Sequence, residues 1–486
     1  MQPMKKCNQL QGDRDKPSTA CAKGDRFSRF VLTALALSFT IFSCSQASAP
    51  QSEKSSVRTS PKDDKVLQIW WDKGFDLEED EAITAVVKKW EKKSGYKAKL
   101  SVYGPNELLD KAQRAMKSGK TPDLLLNFRA ERQLNARLAW EGKLADVSDI
   151  ITPIKELYPE PILKTAHLYN NVQKLRSYYA VPISQTTMLF FYWKDLLRQA
   201  GQSETSIPTE WNSFWEFWKK VQDDLRKKQN NIYSLGLPYS IGSGDTYYFF
   251  EQLLEAYDVQ IFDNRGKLQI RNPQVRQKII DILKWYVKFY QQGYVPPEAI
   301  RWLNPDNNRS LLNRQVVMTP NGTLSIPSAV SQDRETYYKK LGTLKLPNKP
   351  NGQPMRYIVA IGHVILFANS KHQETAKDFM RYLIQPQILG TYLKSAERGH
   401  FPALKSVLKD PYWTSSTDPH ISTVSKILIQ GSIRPFDYVN NPAYSLVLDR
   451  NIWIEALNRI ISDRIPPEQA ADEAIVQIEE IVNTWK

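Results

Sequence analysis

The sequence predicts an α/β protein with more than one core. At 486 residues, 41% hydrophobic and 11% aromatic, the chain is too long for one small core and apolar enough for two large lobes or two to three domains. From Lys65 onward, short apolar runs alternate with amphipathic helical stretches, the pattern of a sheet with helices packed on it.

The first run, VLQIWW from Val66 to Trp71, reads as a strand that ends at Ile69 or Trp70. Next, Ile83, Val86, Val87 and Trp90 recur at helical spacing, with Glu79, Asp80 and Glu81 at the start and Lys92, Lys93 and Gly95 at the end. YKAKLSVYG alternates as a second strand, Asn106 is placed to cap a helix through Met116, and Asp123 to Phe128 reads as a buried strand. This is a β-α-β-α-β start. Further along, Trp211, Phe214, Trp215 and Trp218 share one helix face and are expected in the core. Asn272 and Pro273 open a helix that stops at Gly293, DNRGKLQI at 263–270 reads as a turn between two strands, and YIVAIGHVILFANS from Tyr357 reads as a buried strand region. A final helix presents Ala471, Ala474, Ile478 and Val482.

Residues 1–44 read as an export signal: a basic stretch, then the uncharged run FVLTALALSFTIF from Phe30 to Phe42, short for a bilayer span. Two processing sites compete, Ala47-Ser48-Ala49 followed by Pro50, and Ile41-Phe42-Ser43-Cys44, which resembles a lipobox with Cys44 as the lipidated residue. The other two cysteines, Cys7 and Cys21, precede the apolar run, so cleavage would leave Cys44 alone and the folded body without disulfide, zinc site or Cys nucleophile. Residues 45–64, polar and rich in Ser and Pro, read as a flexible tether between a lipid anchor and the folded body. The formal charge of +14 does not argue for nucleic acid, because the leader holds an excess of four basic residues and no basic tract follows.

Catalytic signatures are missing from the sequence. It contains no GxxxxGK[ST], no GxGxxG after a strand, no HExxH and no GxSxG. The five histidines, His167, His363, His372, His400 and His420, are not paired at metal-ligand spacing and read as surface or packing residues. No metal, cofactor or catalytic residue is expected. Large aromatics do stand beside polar residues at strand ends and in loops: Trp70 and Trp71 before Asp72, Asn127 with Phe128, Asp245 with Tyr247, Trp302 with Asn304, and Asn321 in TPNGT. Ligands of open α/β sheets bind outside the carboxyl ends of strands. Sugar rings suit such places, stacking their C–H faces on aromatics and hydrogen-bonding their hydroxyls to Asn, Asp and Arg. Neighbouring strand residues point to opposite faces, so of Trp70 and Trp71 one is expected to be structural and the other to meet ligand.

Several segments resemble, in order along the chain, the family 1 extracellular solute-binding proteins of bacterial ABC importers, which include maltose-binding protein. They are YAVPISQTTMLFFYWKDLLRQAG with IPTEWNSFWEFWKKV, DNRGKLQIRNPQVRQKIIDILKWYVKFYQQGYVPP, LLNRQVVMTPNGT and ETAKDFMRYLIQPQ. The resemblance implies a two-lobed type II periplasmic-binding-protein fold with a hinge crossed three times, near Ile183 to Thr187, Ile361 to Val364 and Gly399 to Phe401. The lobes would be 65–185 plus 363–400 and 186–362 plus 401–486. It also implies a monomeric receptor, not an enzyme, that closes on a sugar-like solute and docks on a permease at the outer face of a bacterial membrane. Binding residues carried over are Trp70, Trp71, Asp72, Asn127 and Asn321, with Asp245, Tyr247 and Trp302 in the second lobe and Arg434 and Tyr438 toward the C-terminus. Two alternatives stand beside this reading: an extracytoplasmic carbohydrate-active hydrolase using an acid pair, and a receptor of the same fold for a non-sugar solute.

Overall fold

A computed structural model of the chain describes residues 66–485 apart from 75–76, 229–231, 305, 397–398 and 416. The leader, Cys44 and the tether lie outside the described residues. Strands β1 (Val66–Asp72), β2 (Lys97–Tyr103) and β3 (Leu124–Leu126), linked by helices Leu77–Ser94 and Pro105–Ser118, form the expected β-α-β-α-β start, with β2 and β3 both parallel to β1. The first helix buries Ile83, Val86, Val87 and Trp90 and stops at Gly95, whose φ of +80° suits glycine. The second begins one residue before the expected cap. Pro105 takes the first helical position, where its missing N–H costs nothing, and Asn106 falls in the first turn.

After a separate hairpin, β4 (His167–Asn170) with β5 (Leu175–Tyr178), come β6 (Val181–Thr187), β7 (Leu189–Trp193), β8 (Tyr233–Leu235), β9 (Val316–Asn321), β10 (Leu341–Leu344), β11 (Tyr357–Leu366), β12 (Phe401–Pro402) and β13 (Ile433–Arg434). They build two main sheets. The first has the order β12-β6-β11-β3-β1-β2, with β13 also on β11, and the second the order β10-β7-β9-β8. The fold is therefore the two-lobed α/β type, one sheet per lobe. The chain passes from the first sheet to the second between Thr187 and Leu189 and returns between Leu344 and Tyr357; after Pro402 it is mainly helical, apart from β13 on β11, and its last helix, Pro467–Asn483, packs against Pro273–Gln291.

Local expectations mostly follow from burial. Every residue of β11 is buried, which explains its unbroken apolar run. Trp211, Phe214, Trp215 and Trp218 are buried on the helix Trp211–Arg226, with Phe190 and Trp285 edge-on to Trp215. Asn272 caps the helix Pro273–Gln291 by accepting the Gln274 amide. The turn at 263–270 is not flanked by strands. A single Phe262–Leu268 bridge closes it, and Asp263 Oδ1 gathers the Arg265 and Lys267 amides at 2.9 Å each.

Candidate functional site

Where the carboxyl ends of β1 and β3 face the second lobe lies a cavity of about 590 Å³. Its first wall is a tight turn after β3. Asn127 Nδ2 donates to Asp72 Oδ1 at 2.7 Å and to the Pro105 carbonyl at 2.8 Å, while Asn127 Oδ1 accepts the Arg129 and Ala130 amides. Asp72 Oδ2 accepts the Phe128 amide at 2.6 Å. Asp72 and Asn127 thus shape the turn from below, and the residues it presents to the cavity are Phe128, Arg129 and Arg132. Burial pushes the Asp72 carboxyl up to about 7, against the lowering effect of the Phe128 and Asn127 hydrogen bonds and of Arg129 and Arg132.

Phe128 stacks on His400, with centroids 3.9 Å apart and planes 11° from parallel. Burial, helped by the positive charge of Arg132, pushes the His400 imidazole down to about 4, so the pair offers a neutral aromatic face at neutral pH. Arg132 reaches across. Its Nε and Nη2 donate to the Tyr247 hydroxyl at 3.1 and 2.7 Å, and its Nη1 lies 3.3 Å from Glu131 Oε2. Burial alone would lower the guanidinium, but Tyr247 and Glu131 hold it above its ordinary value. Behind it, burial pushes the Glu131 carboxyl up to about 7 although Arg132 and the Tyr438 hydroxyl favour its charged form.

The second wall is the start of the helix Gly244–Ala256, which brings Asp245, Tyr247 and Tyr248 to the cavity. Asn304 Oδ1 accepts the Gly244 amide and the Ser243 hydroxyl, at 3.0 and 3.1 Å, and so caps this helix from another loop. Asp245 Oδ2 accepts Asn307 Nδ2 at 2.8 Å and Oδ1 the Gly322 amide at 3.3 Å, and burial pushes this carboxyl up to about 6 against both bonds. Asn321 donates to Asn308 Oδ1 at 2.6 Å and accepts the Thr323 amide, setting the loop whose Gly322 and Thr323 line the cavity.

Of the ten binding residues carried over from the resemblance, only Asp245 and Tyr247 line this cavity, joined by Phe128 and Asn304, which the sequence pairs with Asn127 and Trp302. Asp72, Asn127 and Asn321 stand behind the lining residues. The expectation that one indole of the Trp70–Trp71 pair faces the crevice is corrected: neither lines the cavity. The reason is register. β1 continues to Asp72, which pairs with Tyr103, so Trp71 stays within the sheet, 1% exposed, with its Nε1 on the Tyr392 hydroxyl at 3.2 Å. Trp70, on the opposite face, packs edge-on to Tyr103 beneath the Lys111 ammonium. Trp302, 5% exposed, is a packing residue. Arg434 is bound to Glu255 at 2.6 Å in an ion cluster with Lys349 and Arg356, and Tyr438 bonds Glu131 from behind, so neither lines the cavity. Sequence reasoning missed Arg129, Arg132, Tyr248 and His400. The strand-end rule that selected Asn127 would have reached both arginines had it been carried a further five residues, whereas nothing local marks His400.

Two α/β lobes with a polar and aromatic cavity at the strand ends define the class: a two-lobed solute-binding fold. Residues 75–388 match the bacterial extracellular solute-binding protein family, and the chain belongs to it. Among its relatives, the galactooligosaccharide-binding protein of Bacillus subtilis (strain 168) is 22% identical over 440 residues, 89% of this chain and 93% of that protein. The multiple sugar-binding protein of Streptococcus mutans serotype c is 20% identical over 237 residues, 46% of this chain and 52% of that one. The fold is similar to that of an ABC transporter solute-binding protein from Thermotoga lettingae bound with α-D-tagatose (TM-score 0.70, 19% identity, 86% of this chain and 100% of that one). It is also similar to the cyclic α-maltosyl-1,6-maltose-binding protein of Arthrobacter globiformis (TM-score 0.65, 16% identity, 86% and 99%).

Proposed function

We propose that this protein is the receptor of an ABC importer that captures a sugar or related polyhydroxylated solute between its lobes and delivers it to a membrane permease. The observation that carries the reading is the composition of the cavity: the stacked Phe128–His400 face and the Tyr247 ring lie beside Asn106, Asn304, Asp245 and Arg129, the mixture of ring faces and hydrogen-bonding groups that a pyranose uses. A volume of about 590 Å³ suits a small saccharide. Relatives named for galactooligosaccharides and multiple sugars, and a solved structure of similar fold bound with tagatose, support the same class. The binding set proposed here is Phe128, Arg129, Arg132, Asp245, Tyr247, Asn304 and His400, with Asp72, Asn127 and Asn321 shaping the loops beneath. Export through the leader, with Cys44 carrying a lipid and residues 45–64 as the tether, would keep this receptor beside its permease on the outer face of a bacterial membrane.

The test is a thermal-shift screen of the protein against mono- and disaccharides, galactooligosaccharides, uronates and polyols, followed by calorimetry on the best binder. A ligand that binds the native state raises Tm, by about 2.7 kcal/mol of stability at a hundredfold excess over Kd. Tyr247→Ala and Asp245→Ala should abolish the shift, and a panel in which no saccharide moves Tm while another solute class does would overturn the sugar reading.

A further inference from the structure

One buried glutamine that does not line the cavity sits where the cavity's second wall meets the strands that join the lobes. Gln252, fully buried on the helix Gly244–Ala256, donates from Nε2 to the Arg356 carbonyl at 2.8 Å and accepts the Ile358 amide on Oε1 at 3.0 Å. An amide with both ends on one stretch of backbone pairs with it as another strand would. Four residues earlier, on the same helix face, the Tyr248 hydroxyl lies 2.9 Å from the Thr186 carbonyl, 3.0 Å from the Ile358 carbonyl and 3.2 Å from the Ala360 amide, touching both β6 and β11. Three residues further on, Glu255 holds the Arg356 guanidinium at 2.8 Å. The helix is therefore bonded along Arg356–Ala360, and its first turn carries Asp245 and Tyr247 into the cavity. Pairing between β11 and β6 shifts register at Gly362/His363, just beyond the clamped stretch.

We propose that Gln252 is a positioning residue: it locks the helix Gly244–Ala256 to the Arg356–Ile358 stretch at the start of β11, so that Tyr247 is held opposite Arg132. The assignment does not depend on the nature of the solute.

Gln222 supplies a control. It is buried in the same lobe and makes the same kind of clamp, Nε2 to the Gly293 carbonyl at 2.9 Å and Oε1 from the Ser234 amide at 2.7 Å, with both partners outside β6 and β11. In the full chain labelled with ¹⁵N-arginine, the readouts are the solvent exchange of the Arg132 Nε–H and amide hydrogen exchange over 356–362. Gln252→Leu and Gln222→Leu should both lower Tm: the first removes the partner of the Arg356 carbonyl and the Ile358 amide, the second that of the Ser234 amide, while the Gly293 carbonyl keeps Arg226 Nη2 at 3.1 Å. Only Gln252→Leu should speed exchange at 356–362 by roughly tenfold or more and release the Arg132 Nε–H. Gln252→Glu, which keeps the bond from Ile358 and sets a carboxyl against the Arg356 carbonyl, should show the same two changes more weakly and serves if the leucine variant does not fold. The assignment is overturned if the Gln252 variants leave the Arg132 signal unchanged, or if Gln222→Leu moves it as much.

Discussion

Arg132, in the helical segment Glu131–Asn135 that follows β3 and its turn, and Tyr247, on the first turns of the helix Gly244–Ala256, are joined by two hydrogen bonds onto one phenolic oxygen, so the two walls of the cavity are bonded directly to each other. The guanidinium also lies 5.4 Å from the Phe436 ring centroid and 5.5 Å from that of Tyr247. A buried cation held this way is exchanged for no single interaction. It balances Glu131 in electrostatics and in packing fills the space among the Tyr247, Tyr248 and Phe436 rings.

Removing either partner should therefore be unequal in cost. Arg132→Ala leaves Glu131 buried with the Tyr438 hydroxyl and the Ile361 amide but without its ion-pair partner, and a broken buried ion pair costs ~3–5 kcal/mol. Tyr247→Phe removes an acceptor from a charged donor and should cost ~1.5–3 kcal/mol. Urea denaturation of both variants checks the order. The Arg132→Ala penalty should shrink at acid pH, where Glu131 takes up a proton, and a penalty independent of pH would show that Glu131 is not the group left exposed to it.

The adjacent tryptophans should separate just as clearly. Trp71, 1% exposed and bonded to Tyr392, is a core residue whose replacement by Ala costs ~3–5 kcal/mol, whereas half-buried Trp70 should cost well under half of that. Neither substitution removes a cavity-lining group. In calorimetry with whichever saccharide raises Tm, both variants should retain affinity at temperatures where they are folded, and loss of binding in Trp70→Ala alone would return that indole to the site.

That contrast marks how far the sequence could be read. The run at Tyr357–Leu366 and the four aromatics of Trp211–Arg226 were legible because burial leaves a local period: continuous in a strand covered on both faces, three-to-four in a helix. Asp245 and Tyr247 were legible because they lie two residues apart at the start of one helix, in a short run of small, polar and aromatic residues. The end of β1 was not, since whether Trp71 stays in the ladder is decided by Val102 and Leu126 on neighbouring strands. Arg132 and Tyr247 are 115 residues apart, and Phe128 meets His400 across most of the chain. The first pair arises where the two lobes meet and the second beside one sheet, between the flanks of β3 and β12, and no window of sequence contains either. The same reason hid the shaping roles of Asp72, Asn127 and Asn321: residue type pointed to ligand contact, while their partners are backbone amides and other side chains.

Glu251 predicts a pH dependence with a definite sign. It is fully buried, accepts the Tyr444 hydroxyl on Oε1 at 2.6 Å, and has no partner on Oε2 among the described residues. Burial, with Asp437 adding to it, pushes the carboxyl from 4.5 up to about 8, against Tyr444 and Arg434. The folded state thus holds this proton where the unfolded chain has released it. Below about 4.5 both states are protonated and the group is silent; as pH rises toward 8 stability falls, and above 8 the loss is complete. Glu251→Gln keeps the shape without the titration. The Tm of the glutamine variant minus that of the wild-type protein should be larger at pH 8 than at pH 5, and parallel curves across that range would remove Glu251 as the cause. Asp72, Glu131 and Asp245 are common to both proteins and cancel in the difference.

Gly362 should be the least replaceable glycine of the crossing strands, and for steric reasons alone. A Cβ there would lie 2.3 Å from Ser184 Oγ and 2.9 Å from the Phe128 ring, distances that real Cβ atoms do not sustain. Ser184 is itself 1% exposed on β6, so its hydroxyl has no free volume to swing into, and the remaining escape is for Phe128 to slide off His400. Gly362→Ala should therefore destabilise by ~1–3 kcal/mol, as overpacking in a core does, and should disturb the aromatic face of the cavity. Because Ser184 Oγ is the closer obstacle and makes no hydrogen bond among the described residues, Ser184→Ala should relieve part of the clash. A double-mutant cycle read by denaturant unfolding should give a favourable coupling of ~0.5–3 kcal/mol between the two substitutions. Strict additivity would mean that the strand moves as a whole instead, carrying β11 away from β6 at the register shift and leaving Phe128 where it stands.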